Sequence, residues 1–268
     1  RAARHGRFIA EGELVVGRLL ASPHRVESLL VAEPQVGRLA VPPDVPVYCA
    51  PPHVLSEIVG FDFHRGLLGC GIRPTNVDWS MHVPPPHQTA TVVVVSRVCD
   101  PVNLGGILRN CAAFGVDLAL LGHGTADPYS RRVLRVSMAT ALTLNVCRSS
   151  DLPGDLQRLH SPCGFHCAAT VVDSAARSLA TVRRPRRLAI VFGNEYDGVE
   201  PCLQQQCQSL VTLPMSRGTD SLNVAVASGI FLYHFHQHGP SRGTNMSDAD
   251  RLAPHCGREQ GDESWTLP

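Results

Sequence analysis

Apolar positions recur along this chain in two rhythms that change at a proline-rich stretch. Before it, Phe8 to Leu20 carries apolar residues at helical spacing, Val26 to Val31 and Val45 to Tyr48 read as strands, and Pro52 to Val59 reads as a short helix. Together they predict a small α/β module over residues 1–76. Asp78 to His87 contains Pro84-Pro85-Pro86, which continues neither a helix nor a central strand, so residues 77–88 read as a stiff linker.

Beyond the linker, short apolar runs alternate with helical segments. Thr91-Val92-Val93-Val94-Val95 suits a strand buried on both faces, and Asn103 to Phe114 repeats apolar residues at helical spacing before Gly115 stops it. Leu118–Leu121, Phe165–Thr170, Leu188–Phe192 and Ser209–Leu213 continue the strand type. Helices are expected from Asp127-Pro128 to about Val136, and over Asp151–Leu159, Pro201–Gln206 and Ser221–Phe235. This predicts an α/β parallel-sheet domain over residues 89–238, and the aperiodic Gly, Pro, Ser and charged residues of 239–268 read as a flexible tail.

Composition narrows the field. At 268 residues the chain can bury a substantial core, with 44% hydrophobic and 18% charged residues in the globular range. A net charge of +1 exerts no overall pull on nucleic acid, so RNA contact must come from local basic clusters. Aromatics at 5% argue against a broad base-stacking platform. Without a membrane-spanning apolar run or an apolar signal core, a cytoplasmic protein is expected, and the absence of Met before Arg1 implies a start further upstream. Ten cysteines without a secretory signal are expected as reduced thiols. His160, Cys163, His166 and Cys167, the Cys202/Cys207 pair, and His234, His236 and His238 lack the spacing of a strong metal site, so no metal is expected.

Open α/β sheets bind ligands beyond the carboxyl ends of their strands, which directs attention to three loops. The first, Asp100-Pro101-Val102-Asn103-Leu104-Gly105-Gly106-Ile107-Leu108-Arg109-Asn110, opens a helix with paired glycines, whose cost makes sense where a backbone or ligand approaches closely. Asp100 and Asn103 as simple caps, with Arg109 at the surface, is an equally open reading of these residues alone. The second, Phe192-Gly193-Asn194-Glu195-Tyr196-Asp197-Gly198, suits a tight loop turning its backbone to a ligand. The third runs Leu213-Pro214-Met215-Ser216-Arg217-Gly218-Thr219-Asp220-Ser221-Leu222-Asn223, where Ser221 or Asp220 suits an N-cap and Asn223 sits awkwardly inside a first helical turn. No GxGxxG or GK[ST] is present, which leaves dinucleotide and P-loop readings without support.

In order and spacing these loops resemble the three signature motifs of the SpoU family of SPOUT methyltransferases: DPxNxGxxxR, FGxE with a following Gly, and PMxxxxxSLNVxxA. Phe8-Ile9-Ala10-Glu11-Gly12 and Phe63-His64-Arg65-Gly66 are similar to the small RNA-binding domain that precedes many such catalytic domains, so the resemblance spans residues 7–237. It implies a trefoil-knotted parallel sheet, a homodimer with its active site near the subunit interface, and S-adenosylmethionine as cofactor. The reaction implied is methyl transfer to a ribose 2′-hydroxyl of ribosomal or transfer RNA, without a metal. Family membership alone leaves two alternatives: a non-catalytic RNA-binding or assembly factor on this fold, and a base-methylating enzyme.

The same resemblance assigns Phe192, Gly193, Asn194, Gly198, Leu213, Met215, Ser221, Leu222 and Asn223 to the cofactor, and Arg109, Asn103, Glu195, Ser221 and Asn223 to the chemistry. A guanidinium is nearly always charged, so Arg109 is read first as binding the adjoining phosphate and stabilising the developing alkoxide, and as a base only if its environment strongly perturbs it. Asn103 and Asn223 would orient it, with Glu195 and Ser221 holding the polar network. One departure is Ala139, where the family commonly has Gly. For RNA, His64 and Arg65, the helix-borne Arg131, Arg132 and Arg135, and the run Arg183-Arg184-Pro185-Arg186-Arg187 offer phosphate contacts, with a solvated basic face as the competing reading.

Overall fold

The computed structural model describes residues 5–60, 66–75, 78–216 and 221–238. The N-terminal strands are β1 (Arg7–Glu11), β2 (Val26–Ala32), β3 (Val47–Ala50) and β4 (Leu67–Ile72), in the order β1-β4-β2-β3. Here β4 runs antiparallel to β1 and β2, and β2 runs parallel to β3. Helix α1 (Glu13–Leu20) buries Val15, Val16 and Leu19 in the core, and α2 (Pro52–Val59) covers Ala32 through Leu55.

Two features depart from the periodicity. Phe8–Leu20 is not one helix: Phe8 and Ala10 alternate inward on a strand, and Gly12 at φ 86° turns the chain into α1. β4 carried no strand signal because its core face is glycine. A Cβ on Gly71 would lie 2.3 Å from the Phe8 ring, and one on Gly69 would lie 3.1 Å from Leu19. The aromatic ring therefore fills space that side chains of β4 would otherwise occupy.

The larger sheet comprises β5 (Ala90–Val95), β6 (Leu118–Leu121), β7 (Val146–Arg148), β8 (His166–Thr170), β9 (Arg177–Ser178), β10 (Arg187–Phe192) and β11 (Ser209–Thr212). Its order is β7-β6-β5-β10-β8-β11-β9, and all six pairings are parallel. Val93 and Val95 of β5 face one core with Ile190 and Phe192 of β10, while Val92 and Val94 face the other with Ala189 and Val191. Burial on both faces explains the unbroken valine run. Each fully buried Val, Leu or Ile contributes about 1.5–3 kcal/mol relative to exposure.

Helices α3 (Pro101–Ala113), α4 (Arg131–Val136) and α7 (Val224–Gln237) cover one face, and α5 (Leu152–His160) and α6 (Pro201–Gln204) cover the other. Helix α4 starts later than expected, at a cap where Ser130 Oγ accepts the Val133 N–H. Asp127, read as that cap, instead accepts from Arg73 of the N-terminal module at 2.9 Å. Glu11 similarly accepts from Arg131, and the Phe8 and Tyr129 rings lie 5.1 Å apart, so ion pairs and aromatic packing join the two sheets.

In the run Arg183–Arg187, read as a phosphate grip, three of the four arginines bond to the protein itself. Arg187 is buried, stacks 4.3 Å over Phe165, and donates to the carbonyls of Pro84, Pro85, Gln88 and Cys163. Burial pushes its pKa down from the usual guanidinium value. Arg186 donates to the Pro86 and His87 carbonyls, and Arg184 to Thr91 Oγ1. The proline-rich segment is thus strapped onto the larger sheet. Among the described residues no helix is long and apolar enough to cross a membrane.

Candidate active site

The carboxyl ends of β8, β10 and β11 open into a cavity of about 660 Å³. Eight of the nine residues expected to hold a cofactor line it: Phe192, Gly193, Asn194, Gly198, Leu213, Met215, Ser221 and Leu222. The ninth, Asn223, is exposed and is not among the lining residues. The segment Thr170-Val171-Val172-Asp173 also lines the cavity and was missed, although it too follows an apolar strand and the carboxyl-end rule would have found it.

The loop after β10 closes on itself. Asn194 and Gly198 exchange backbone hydrogen bonds at 3.0 and 2.9 Å, and Asn194 Oδ1 accepts the Tyr196 N–H at 2.7 Å. A Cβ on Gly193 would sit 2.1 Å from the Gly198 carbonyl and 2.2 Å from Val199 N, so only glycine admits this return of the backbone. Asn194 Nδ2 donates to the Arg97 carbonyl, and the Arg97 guanidinium pairs with Asp197 at 3.1 Å, tying the loop to the one after β5.

At the cavity's edge, three polar side chains, ending on the lining residue Glu195, form a chain with defined direction. Asn223 is the N-cap of α7: its Oδ1 accepts from the Ala225 and Val226 N–H groups at 2.9 and 3.2 Å. The expected helix start at Ser221 is therefore corrected, and the place of Asn223 is explained as the cap itself. With its oxygen engaged, Asn223 donates through Nδ2 to Asn103 Oδ1 at 2.8 Å. Asn103 then donates through Nδ2 to Glu195 Oε1 at 2.5 Å. Each amide has one acceptor and one donor end, so capping α7 dictates which way every member points.

The first loop resolves the open choice between caps and site. Asp100 is the cap of α3, accepting the Val102 N–H at 2.8 Å, whereas Asn103 is 8% exposed and faces Glu195. The glycines serve helix packing: a Cβ on Gly105 would meet Val136 at 2.7 Å, and one on Gly106 would meet Ala225 at 2.7 Å. Asn110, given no role from sequence, clamps α3 to α7 by donating to the Ala225 carbonyl and Ser228 Oγ. Arg109 is exposed, and among the described residues nothing pairs with it, so one chain does not bring it to Asn103 and Asn223.

Of the expected RNA contacts, His64 and Arg65 lie outside the described residues, as do Arg217–Asp220 of the third loop and the tail 239–268. Arg131 is held by Glu11, while Arg132 and Arg135 are exposed on the same helix. Ala139 adopts φ 60°, a left-handed conformation that accounts for the family's glycine by backbone geometry. His160 bonds the Phe165 carbonyl, His166 bonds Ser209, and His234 bonds the Val182 carbonyl. Among the described residues no cluster of three or more His, Cys, Asp or Glu is placed to hold a metal.

A fully parallel sheet whose carboxyl-end loops wall in one ligand-sized cavity defines a small-molecule-binding α/β protein. The chain belongs to the SpoU rRNA methylase family, whose pattern matches residues 90–233. It is 35% identical to a protein of Mycobacterium tuberculosis named as a tRNA/rRNA methyltransferase, over 84% of this chain and 79% of that one. It is 29% identical to a 23S rRNA (guanosine-2′-O)-methyltransferase of Bacillus subtilis, over 85% and 87% of the two chains. The fold is similar to an AdoMet-bound rRNA methyltransferase of Sinorhizobium meliloti, with a TM-score of 0.77, 26% identity, and coverage of 89% and 90%.

Proposed function

We propose that this protein transfers a methyl group from S-adenosylmethionine to a ribose 2′-hydroxyl of ribosomal or transfer RNA. The observation that carries this reading is the convergence of all three motif loops on one site, with Asn223 and Asn103 joined by hydrogen bonds to the lining residue Glu195. The cavity fits the cofactor. Its volume lies within the roughly 300–1,000 Å³ of small-molecule sites. Asp173, Glu195 and Asp197 are the charged groups among its described lining residues, and they suit a ligand bearing sulfonium and ammonium charges.

Bound there, the cofactor supplies a methyl group already activated by its sulfonium charge. Gly193, Asn194 and Gly198 would hold it through the backbone, and Phe192, Leu213, Met215 and Leu222 through apolar contact. Glu195, aligned by Asn103 and Asn223, would fix the polar end of the site. Arg109 would bind the phosphate beside the acceptor ribose and stabilise charge developing on its oxygen.

A homodimer completes this reading. Val226, Ile230 and Tyr233 form a stripe on α7 that is 54%, 40% and 56% exposed, with Leu222 just before it at 41%. A second copy on that stripe would bring the unpaired Arg109 of one protomer toward the site of the other. The N-terminal module, with Arg132 and Arg135 beside it, would extend the RNA track. The knot implied by the family is consistent with α7 returning from β11 to pack on α3.

Incubation with labelled cofactor and ribosomal or transfer RNA, followed by nucleoside digestion, is expected to place label on ribose. Label on a base, or none in any RNA despite cofactor binding, would overturn the reading. Arg109→Ala is expected to abolish transfer with cofactor affinity intact. Mixing it with Gly193→Ala protomers is expected to restore activity if the two residues serve one site from different subunits.

A further inference from the structure

The cavity walls contain two aromatic rings, Phe192 and Phe231, which are 1% and 3% exposed. A third ring, Tyr196, belongs to the same lining but is 91% exposed. Its neighbour Glu195 is turned inward onto Asn103. Successive residues of one loop thus face opposite ways, carboxylate into the site and phenol ring out over its rim. Consecutive Cα atoms are about 3.8 Å apart, so the ring stands within a nucleotide's reach of the Glu195 carboxylate.

The ring is presented on a stiff base. Asn194 Oδ1 accepts the backbone N–H groups of Tyr196 and Asp197, the Asn194–Gly198 pair closes the loop below, and Arg97 anchors it from the side. A tyrosine on such a loop loses little conformational freedom when its face is covered. The Arg97–Asp197 pair also offsets the negative charge that would otherwise stand beside an approaching phosphate.

We infer that Tyr196 is a positioning residue for the acceptor nucleotide, its ring stacking on a nucleobase of the RNA and so delivering the ribose to the Glu195–Asn103 edge of the site. This rests on the RNA-methylating reading above. Stacking needs only a π-face and tolerates any base, so the ring sets register while sequence selection lies elsewhere. A single ring serves this purpose in a chain too poor in aromatics for a stacking platform.

The test compares Tyr196→Ala, Tyr196→Phe and Tyr196→Trp in the full chain. Cofactor affinity is measured by calorimetry, transfer to unmodified 23S rRNA transcript and bulk tRNA by label incorporation, and RNA affinity by anisotropy with the same RNAs. Tyr196→Ala is expected to raise the RNA KM about ten- to a hundredfold, the range of one lost base stack. Phenylalanine and tryptophan are expected to stay within about threefold of wild type by the same criterion.

Cofactor affinity and oligomeric state are expected to be unchanged in all three variants. Four results would overturn the inference: an unaltered RNA KM in Tyr196→Ala, a loss of cofactor affinity that accounts for the defect, a phenylalanine variant as impaired as alanine, or a shift in oligomeric state. A wild-type protein that binds RNA without transferring methyl would defeat the functional reading, and the anisotropy series would still judge Tyr196.

Discussion

Asn223 performs two jobs with one amide, and two substitutions separate them. Its oxygen caps α7, and its nitrogen donates to the oxygen of Asn103. Asn223→Ala removes both. A lost N-cap costs about 1 kcal/mol. Leaving the largely buried Asn103 oxygen without its donor costs about 1–3 kcal/mol more. The sum, about 2–4 kcal/mol, corresponds to a fall in Tm of roughly 4–16 °C for a chain of this size.

Asn223→Asp keeps the cap, since a carboxylate accepts the same two N–H groups and suits the positive end of the helix. It has no donor for Asn103, whose amide must then present its oxygen either to the new carboxylate or to Glu195. The aspartate variant is therefore expected to recover only the cap, about 1 kcal/mol of the stability lost by alanine, and to lose as much methyl transfer. Thermal or urea unfolding, paired with label incorporation, reads both quantities. An alanine variant within about 0.5 kcal/mol of wild type, the range of ordinary surface changes, would refute the capping argument. An aspartate variant with wild-type turnover would refute the need for the directed amide chain.

Other outcomes follow from single contacts. Gly193→Ala is expected to abolish cofactor binding, measured by calorimetry, because its Cβ would displace the Gly198–Val199 backbone. Arg187→Lys is expected to lower stability by about 2–4 kcal/mol in urea unfolding, since a point charge cannot reproduce the guanidinium's stacking and spread of donors to four carbonyls. The Arg7 guanidinium donates to Glu27 and holds its carboxyl at about 2, down from 4.5. A depressed carboxylate favours the fold above the unfolded pKa, so that contribution is complete above pH 4.5 and is lost as the pH falls toward 2. Glu27→Gln is expected to flatten the stability–pH profile in that window, read by unfolding at each pH.

The strand ends and the site loops were legible because their signals are local. A run such as Val92–Val95 announces burial on both faces, and the rule that ligands sit beyond such runs led to the site loops, in which eight of the nine residues that the family resemblance then assigned to the cofactor line the cavity. Gly193 was readable as a tight turn from its neighbours alone. β4 was not, because its strand character depends on a Phe8 ring more than sixty positions from Gly71 that makes glycine the fitting residue. The internal contacts of Arg184, Arg186 and Arg187 were hidden for the same reason. Charge density is visible in sequence, but the carbonyls that absorb it come from the proline segment about a hundred residues earlier.

What the sequence determined by itself was the central strands and most helices of the larger sheet and the three loops that carry the site, encoded in periodicity over a few residues to a few turns, and, through the resemblance of those loops to known motifs, the family. Only the tertiary structure decided which polar groups meet. Asn103 and Asn223 stand 120 positions apart; the first reads locally as a possible cap and the second as an ill-placed residue of a first helical turn. Packing α7 on α3 brings them together, since a Cβ on Gly106 would strike Ala225 and Asn110 holds the Ala225 carbonyl. Hydrogen bonds of a few ångströms are satisfied by neighbours in space, and the chain's linear order carries no direct record of those.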